Sequence, residues 1–131
     1  MKTKIRLLCA LLLISSVRGA TYIAASAAYT DVQAVADSSF NSALADVDTV
    51  VVPAGTASWT SSLTVTKGIL LQGAGNDTTI LRDNVIPRSA LVQVSLTSSQ
   101  SFRLTGFTFG YGSLTGLGGN GGIRLGGHAH Q

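Results

Sequence analysis

Cysteine is almost absent from this chain: the single one, Cys9, lies in an apolar stretch near the start. Disulfides and cysteinyl metal sites are therefore excluded from everything downstream, where stability has to come from packing. Charge is sparse as well, at 11% of residues. It is also unevenly placed. Four of the nine basic residues (Lys2, Lys4, Arg6, Arg18) precede Gly19 and all six acids follow it, leaving a formal net charge of about −1 after that point. The basic overall pI belongs mainly to the first residues and gives no footing for a nucleic-acid partner. The apolar run "LLCALLLISSV" (Leu7 to Val17) is too short to cross a bilayer.

What that run does fit is an export leader. Lys2, Lys4 and Arg6 make a positive n-region before an apolar core, the pattern of a secretory signal peptide. Val17-Arg18-Gly19 and Ala25-Ser26-Ala27 are the two candidate cleavage sites. The leader is thus expected over residues 1–19, with cleavage as late as residue 27, and a secreted, periplasmic or extracellular location is expected for the rest. No membrane anchor is expected after cleavage.

The remainder is rich in Gly, Ser, Thr and Val, which suits strands and turns. One helix is signalled. Thr30 and Gln33 form a T-x-x-Q capping box with Asp31 in the first turn, and Val32, Ala36, Phe40, Ala43 and Leu44 follow at helical spacing. That face must pack on the strands that follow.

After Asp48 come eight short apolar runs: 50–52, 63–65, 69–71, 79–81, 92–94, 102–104, 107–109 and 123–125, separated by turn residues. They fall into three columns. Val51, Ile80 and Thr108 are 29 and 28 residues apart; Thr64, Gln93 and Arg124 are 29 and 31 apart; Leu70 and Arg103 are 33 apart. A period near thirty predicts a solenoid with three strands per coil and three parallel sheets. Alternation places Leu63/Val65, Val92/Val94 and Ile123/Leu125 inward and Thr64, Gln93 and Arg124 outward. A β-sandwich would also use short strands, but it would not require this shared offset.

The order of helix, "DTVVVPAGTASWTSSLTVTKGILLQGAGNDTTILRDN" (Asp48 to Asn84) and "FRLTGFTFG" (Phe102 to Gly110) resembles the N-terminal part of the pectin-lyase-like superfamily. The resemblance spans roughly Thr30 to Gly127. It implies an all-β, right-handed parallel β-helix with the helix as its N-terminal cap, "DTVVVPAG" as first strand and corner, and "GILLQGAG" as third strand of the first coil. Residues 28–131 would then be the cap and first coils. With no third strand in one column and no closing element before Gln131, the expectation is a C-terminally incomplete domain of fewer than three coils, aggregation-prone when expressed alone and monomeric at full length.

The family's lyases perform β-elimination on uronate polysaccharides, using acidic residues to hold calcium and an Arg or Lys as base; hydrolases on the fold use clustered Asp. No paired carboxylates lie on an outward strand face here, so no catalytic residue carries over. Any would lie beyond Gln131. No cofactor is expected in these coils, with calcium reserved for a full-length lyase. Gln93, Arg103 and Arg124 are the candidate substrate-binding residues, and extracellular polysaccharide the candidate partner. A non-catalytic adhesin or structural β-helix protein is the main alternative, and a complete small β-domain a weaker one.

Other features read as structure. Gly73-Ala74-Gly75 lacks the following helix and the lysine that a phosphate loop needs, so a corner is expected. "GLGGNGG" (Gly116 to Gly122) lacks the Asp of calcium-binding repeats, and His128-x-His130 lacks a third zinc ligand. Trp59 is expected to pack on the cap rather than stack on a sugar.

Overall fold

The computed structural model describes residues 18–87, 89–113 and 122–127. Along the chain lie β1 (Thr21–Ile23), α1 (Tyr29–Ala36), β2 (Thr49–Val52), β3 (Gly55–Trp59), β4 (Leu63–Val65) and β5 (Leu70–Gly73). They are followed by β6 (Thr79–Asp83), β7 (Val92–Leu96), β8 (Arg103–Thr105), β9 (Thr108–Tyr111) and β10 (Ile123–Gly127). Every strand pairing among the described residues is parallel. The first sheet runs β1-β2-β5-β8, the second β3-β6-β9 and the third β4-β7-β10. From β2 onward, successive strands therefore visit the three sheets in rotation, and the chain makes about three turns of a parallel β-helix. Antiparallel sandwich pairing is ruled out.

Two of the sequence columns match the register residue for residue. Gln93 pairs with both Thr64 and Arg124, and Leu70 pairs with Arg103. The remaining column is mixed. Ile80 does pair with Thr108, but Val51 pairs with Gln72 in the first sheet and Thr56 is the first-turn partner of Ile80. The cause is β3, whose sequence GTASW contains no apolar run and buries its core side chain only at Trp59. With β3 in place, "GILLQGAG" holds β5, the first strand of the second turn rather than the third of the first. In the first sheet the turns are 21 and 33 residues long, against 29 and 31 in the third. Unequal corners absorb the difference.

Alternation builds the core. Val50 and Val52, Leu63 and Val65, and Val92 and Val94 are buried while their neighbours face outward. The third turn keeps that register without the burial: Ile123 is 38% and Leu125 73% exposed, because among the described residues no further coil covers them.

The helix departs from its predicted form. It begins at Tyr29, one residue before Thr30, with Ala28 at the N-cap and no side-chain capping bond, and it stops at Ala36. Ser26 takes over the local polar contacts, donating to the Asp31 carboxylate and accepting from the Ala28 N–H. Phe40, predicted on the apolar face, is exposed, because the chain has already turned at Asp37, whose carboxylate accepts from the Ser39 N–H.

The helix nevertheless caps the first turn. It packs on β1, β2, β3 and β4, with Val32 and Ala36 fully buried. Trp59 is also fully buried. Its indole Nε1 donates to the Ala27 carbonyl at 2.9 Å, and Tyr29 meets its ring edge-on with centroids 5.6 Å apart. Sugar stacking on Trp59 is therefore excluded. Burial, and secondarily the Asp37 carboxylate, push the Tyr29 phenol above its usual pKa, while a hydrogen bond with Gln33 opposes them.

Candidate functional site

The corner at Gly73-Ala74-Gly75 leads directly into β6, and its amides are spent internally. Ala74 N–H donates to Thr79 Oγ1, Gly75 N–H to the Gly106 carbonyl and Asp77 N–H to Thr108 Oγ1. No converging set of free amides remains there for a phosphate. Gly75 has φ 149°, a left-handed value. Gly73 is required for another reason: a Cβ there would stand 2.2 Å from the Gly106 carbonyl oxygen.

The three outward residues singled out in the sequence divide between two faces. Gln93 and Arg124 are register partners on the third sheet, stacked above Thr64. Strand spacing puts successive members of such a column about 5 Å apart. Gln93 is half-buried and its Nε2 donates to Ser89 Oγ at 2.8 Å, whereas Thr64 and Arg124 are exposed. Arg103 stands exposed on the first sheet. Arg82 is exposed on the second, so each face of the prism carries one strand-borne arginine.

Arg103 borders a cleft that sequence reasoning missed. The corners preceding β2, β5 and β8 stack there and enclose ≈ 260 Å³. Val47 and Leu70 line its apolar part; Asp46, Gln100, Ser101 and Arg103 line its polar part. Asp46 Oδ1 accepts from the Gly68 N–H at 2.7 Å and from Gln100 Nε2 at 2.8 Å. Those two bonds, in that order, hold its pKa below the usual carboxylate range, and the charge of Lys67 adds to them. Val47 has φ 65°, a conformation that costs a β-branched residue of order 1–3 kcal/mol. The reversal sends the neighbouring carboxylate the other way: Asp48 is buried and accepts from the Ala20 and Ala45 N–H groups. No local sequence pattern marks this cleft, because its walls come from three corners of unequal length.

All six acids of the chain are aspartates, and each accepts a hydrogen bond. Asp31 receives one from Ser26, Asp37 from Ser39, Asp77 from Thr108 and Asp83 from the Val85 N–H, alongside Asp46 and Asp48. They fasten corners and cap. Among the described residues no three His, Cys, Asp or Glu side chains converge as metal ligands would. The "GLGGNGG" segment falls almost entirely outside the described residues, as do His128, His130 and the apolar run Leu7 to Val17 read as the core of an export leader. No described helix is long and apolar enough to cross a membrane.

The fold defines the chain as a capped parallel β-solenoid. No protein-family model, curated protein or solved structure matches it.

Proposed function

We propose that this chain forms the cap and first coils of an exported pectin-lyase-like β-helix protein that binds or acts on extracellular polysaccharide. The observation that carries the reading is the outward column Thr64–Gln93–Arg124. It aligns a hydroxyl, a carboxamide and a guanidinium on one flat face, as hydrogen bonding to successive hydroxyls and carboxylates of an acidic glycan requires. Arg103 and its cleft offer a second contact on another face. The export leader of residues 1–19 belongs to the same reading.

Binding of polygalacturonate and alginate, measured by calorimetry, tests it. A charged hydrogen bond is worth about 1.5–3 kcal/mol, so Arg124→Ala is expected to weaken binding roughly tenfold or more, and Gln93→Ala less. Arg82→Ala, on the second sheet, should leave affinity unchanged. Equal losses from Arg82→Ala and Arg124→Ala would reduce the effect to non-specific charge, and absence of binding would end the proposal.

For these coils, the six carboxylates favour the non-catalytic reading, an adhesin-like or structural β-helix surface. Each carboxylate accepts a hydrogen bond within the fold, and among the described residues no three of them converge as calcium ligands would. A full-length lyase would supply its calcium ligands and base from other coils.

A further inference from the structure

The corners joining the first sheet to the second differ in one respect. In the first and third turns they are two residues long, Pro53-Ala54 and Gly106-Phe107, whereas in the second the corner runs from Ala74 to Thr78. The outer three residues of that longer corner are Asn76-Asp77-Thr78, and all three are exposed. They spell N-x-T, the acceptor pattern for N-linked glycosylation, and none of the other three asparagines (Asn41, Asn84, Asn120) has Ser or Thr two residues on.

In so Ser- and Thr-rich a chain the pattern alone carries little. Its placement carries more. The turn is built and held: Thr78 N–H donates to the Gly75 carbonyl, Asp77 N–H donates to Thr108 Oγ1 at 2.9 Å, and Asp77 takes φ 61°, which aspartate tolerates. The Asn76 side chain makes no hydrogen bond among the described residues, so nothing in the fold is lost when its carboxamide is substituted. The vertex between the first and second sheets also lies opposite the third sheet. A bulky glycan at Asn76 would therefore leave the Gln93–Arg124 face open.

We propose that Asn76 is an N-glycosylation site, a reading that rests on export of the chain. In the transfer, Asn76 Nδ2 bonds to the anomeric carbon of a lipid-pyrophosphate-linked oligosaccharide. The anomeric C–O bond breaks, the lipid pyrophosphate leaves with the electron pair, and the amide gives up one proton. Thr78 supplies the hydroxyl that the acceptor pattern requires.

The test expresses the full chain in cultured eukaryotic secretory cells, once with its own first residues and once behind an established leader. Medium and lysate are examined by electrophoresis with and without peptide N-glycosidase. Exported chain should show one glycan-sized shift that the glycosidase removes, that Asn76→Gln and Thr78→Ala abolish, and that Thr78→Ser retains. Exported chain with no shift overturns the proposal while export stands. Modified chain from the established leader alone supports the acceptor site and removes the export reading. Unmodified chain behind the established leader overturns the acceptor site, and chain with its own first residues retained in the lysate removes the export reading.

Discussion

Trp59 ties the cap to the first turn, and truncating it should separate the two. The side chain is fully buried, bonded to the Ala27 carbonyl at 2.9 Å and packed edge-on against Tyr29. Trp59→Phe retains most of the ring but strands the buried carbonyl, a loss of about 1–3 kcal/mol. Trp59→Ala adds the cavity, for a total of about 3–5 kcal/mol. Such losses are a large fraction of the stability of an ordinary domain, about 5–15 kcal/mol. Urea unfolding followed by far-ultraviolet circular dichroism measures both variants, since Trp59 is the only tryptophan and its fluorescence vanishes with it. Hydrogen exchange should localise the first loss to residues 27–36. A Tyr29→Leu cycle should return a coupling of about 0.5–1.5 kcal/mol. If Trp59→Phe stays within about 0.5 kcal/mol of the parent, the range of a neutral surface change, the indole bond does not hold the cap.

Gly106→Ala should cost at least about 1–2 kcal/mol in the same unfolding assay, because φ is 75° and the new Cβ would meet the Gly73 carbonyl oxygen; Gly110→Ala, whose Cβ meets only Arg82 Cγ at 4.0 Å, should be near neutral. The depressed pKa of Asp46 makes its stabilisation fully present above the unfolded value of about 3.9 and lost as pH falls through the folded value. The melting temperature should therefore drop more steeply between about pH 5 and pH 2 in the parent than in Asp46→Asn; parallel curves would refute the assignment. Leader cleavage should expose Ala20 rather than Ala28, because Ala24 and Ala27 are buried, β1 pairs with β2, and the Ala20 N–H bonds to Asp48. Terminal sequencing of exported chain reads the answer, and an intact Met1 on cytoplasmic material would remove the leader altogether.

The solenoid was legible where burial is one-sided and the period-2 pattern is strict. In β4 and β7 the inward residues are all aliphatic and the outward ones polar, so the Thr64–Gln93–Arg124 column could be read directly. The strand β3 was invisible for the opposite reason. Its inward side faces the cap, where Gly55 and Ala57 leave room for the helix and only Trp59 is buried. The helix end was misread because Phe40, Ala43 and Leu44 continue the helical spacing by coincidence, while Asp37 satisfies the Ser39 amide and turns the chain. The Asp46–Arg103 cleft had no signature because residues 46, 68, 100 and 103 meet only once the lengths of three corners are known.

Where each polar group goes follows from the same geometry. A corner leaves amides without ladder partners, and a short carboxylate is the cheapest group to satisfy them; the six aspartates are used in that way or on a nearby hydroxyl. Strand faces have no such demand, since their backbone groups are already paired, and arginines can stand there freely. Arg103, Arg82 and Arg124 occupy one face each. Among the described residues, the cleft below the first sheet brings a carboxylate, Asp46, and a strand-borne cation, Arg103, to the lining of one pocket. In the proposed reading, a polymer laid along the third sheet would meet Arg124, Gln93 and Thr64 in order.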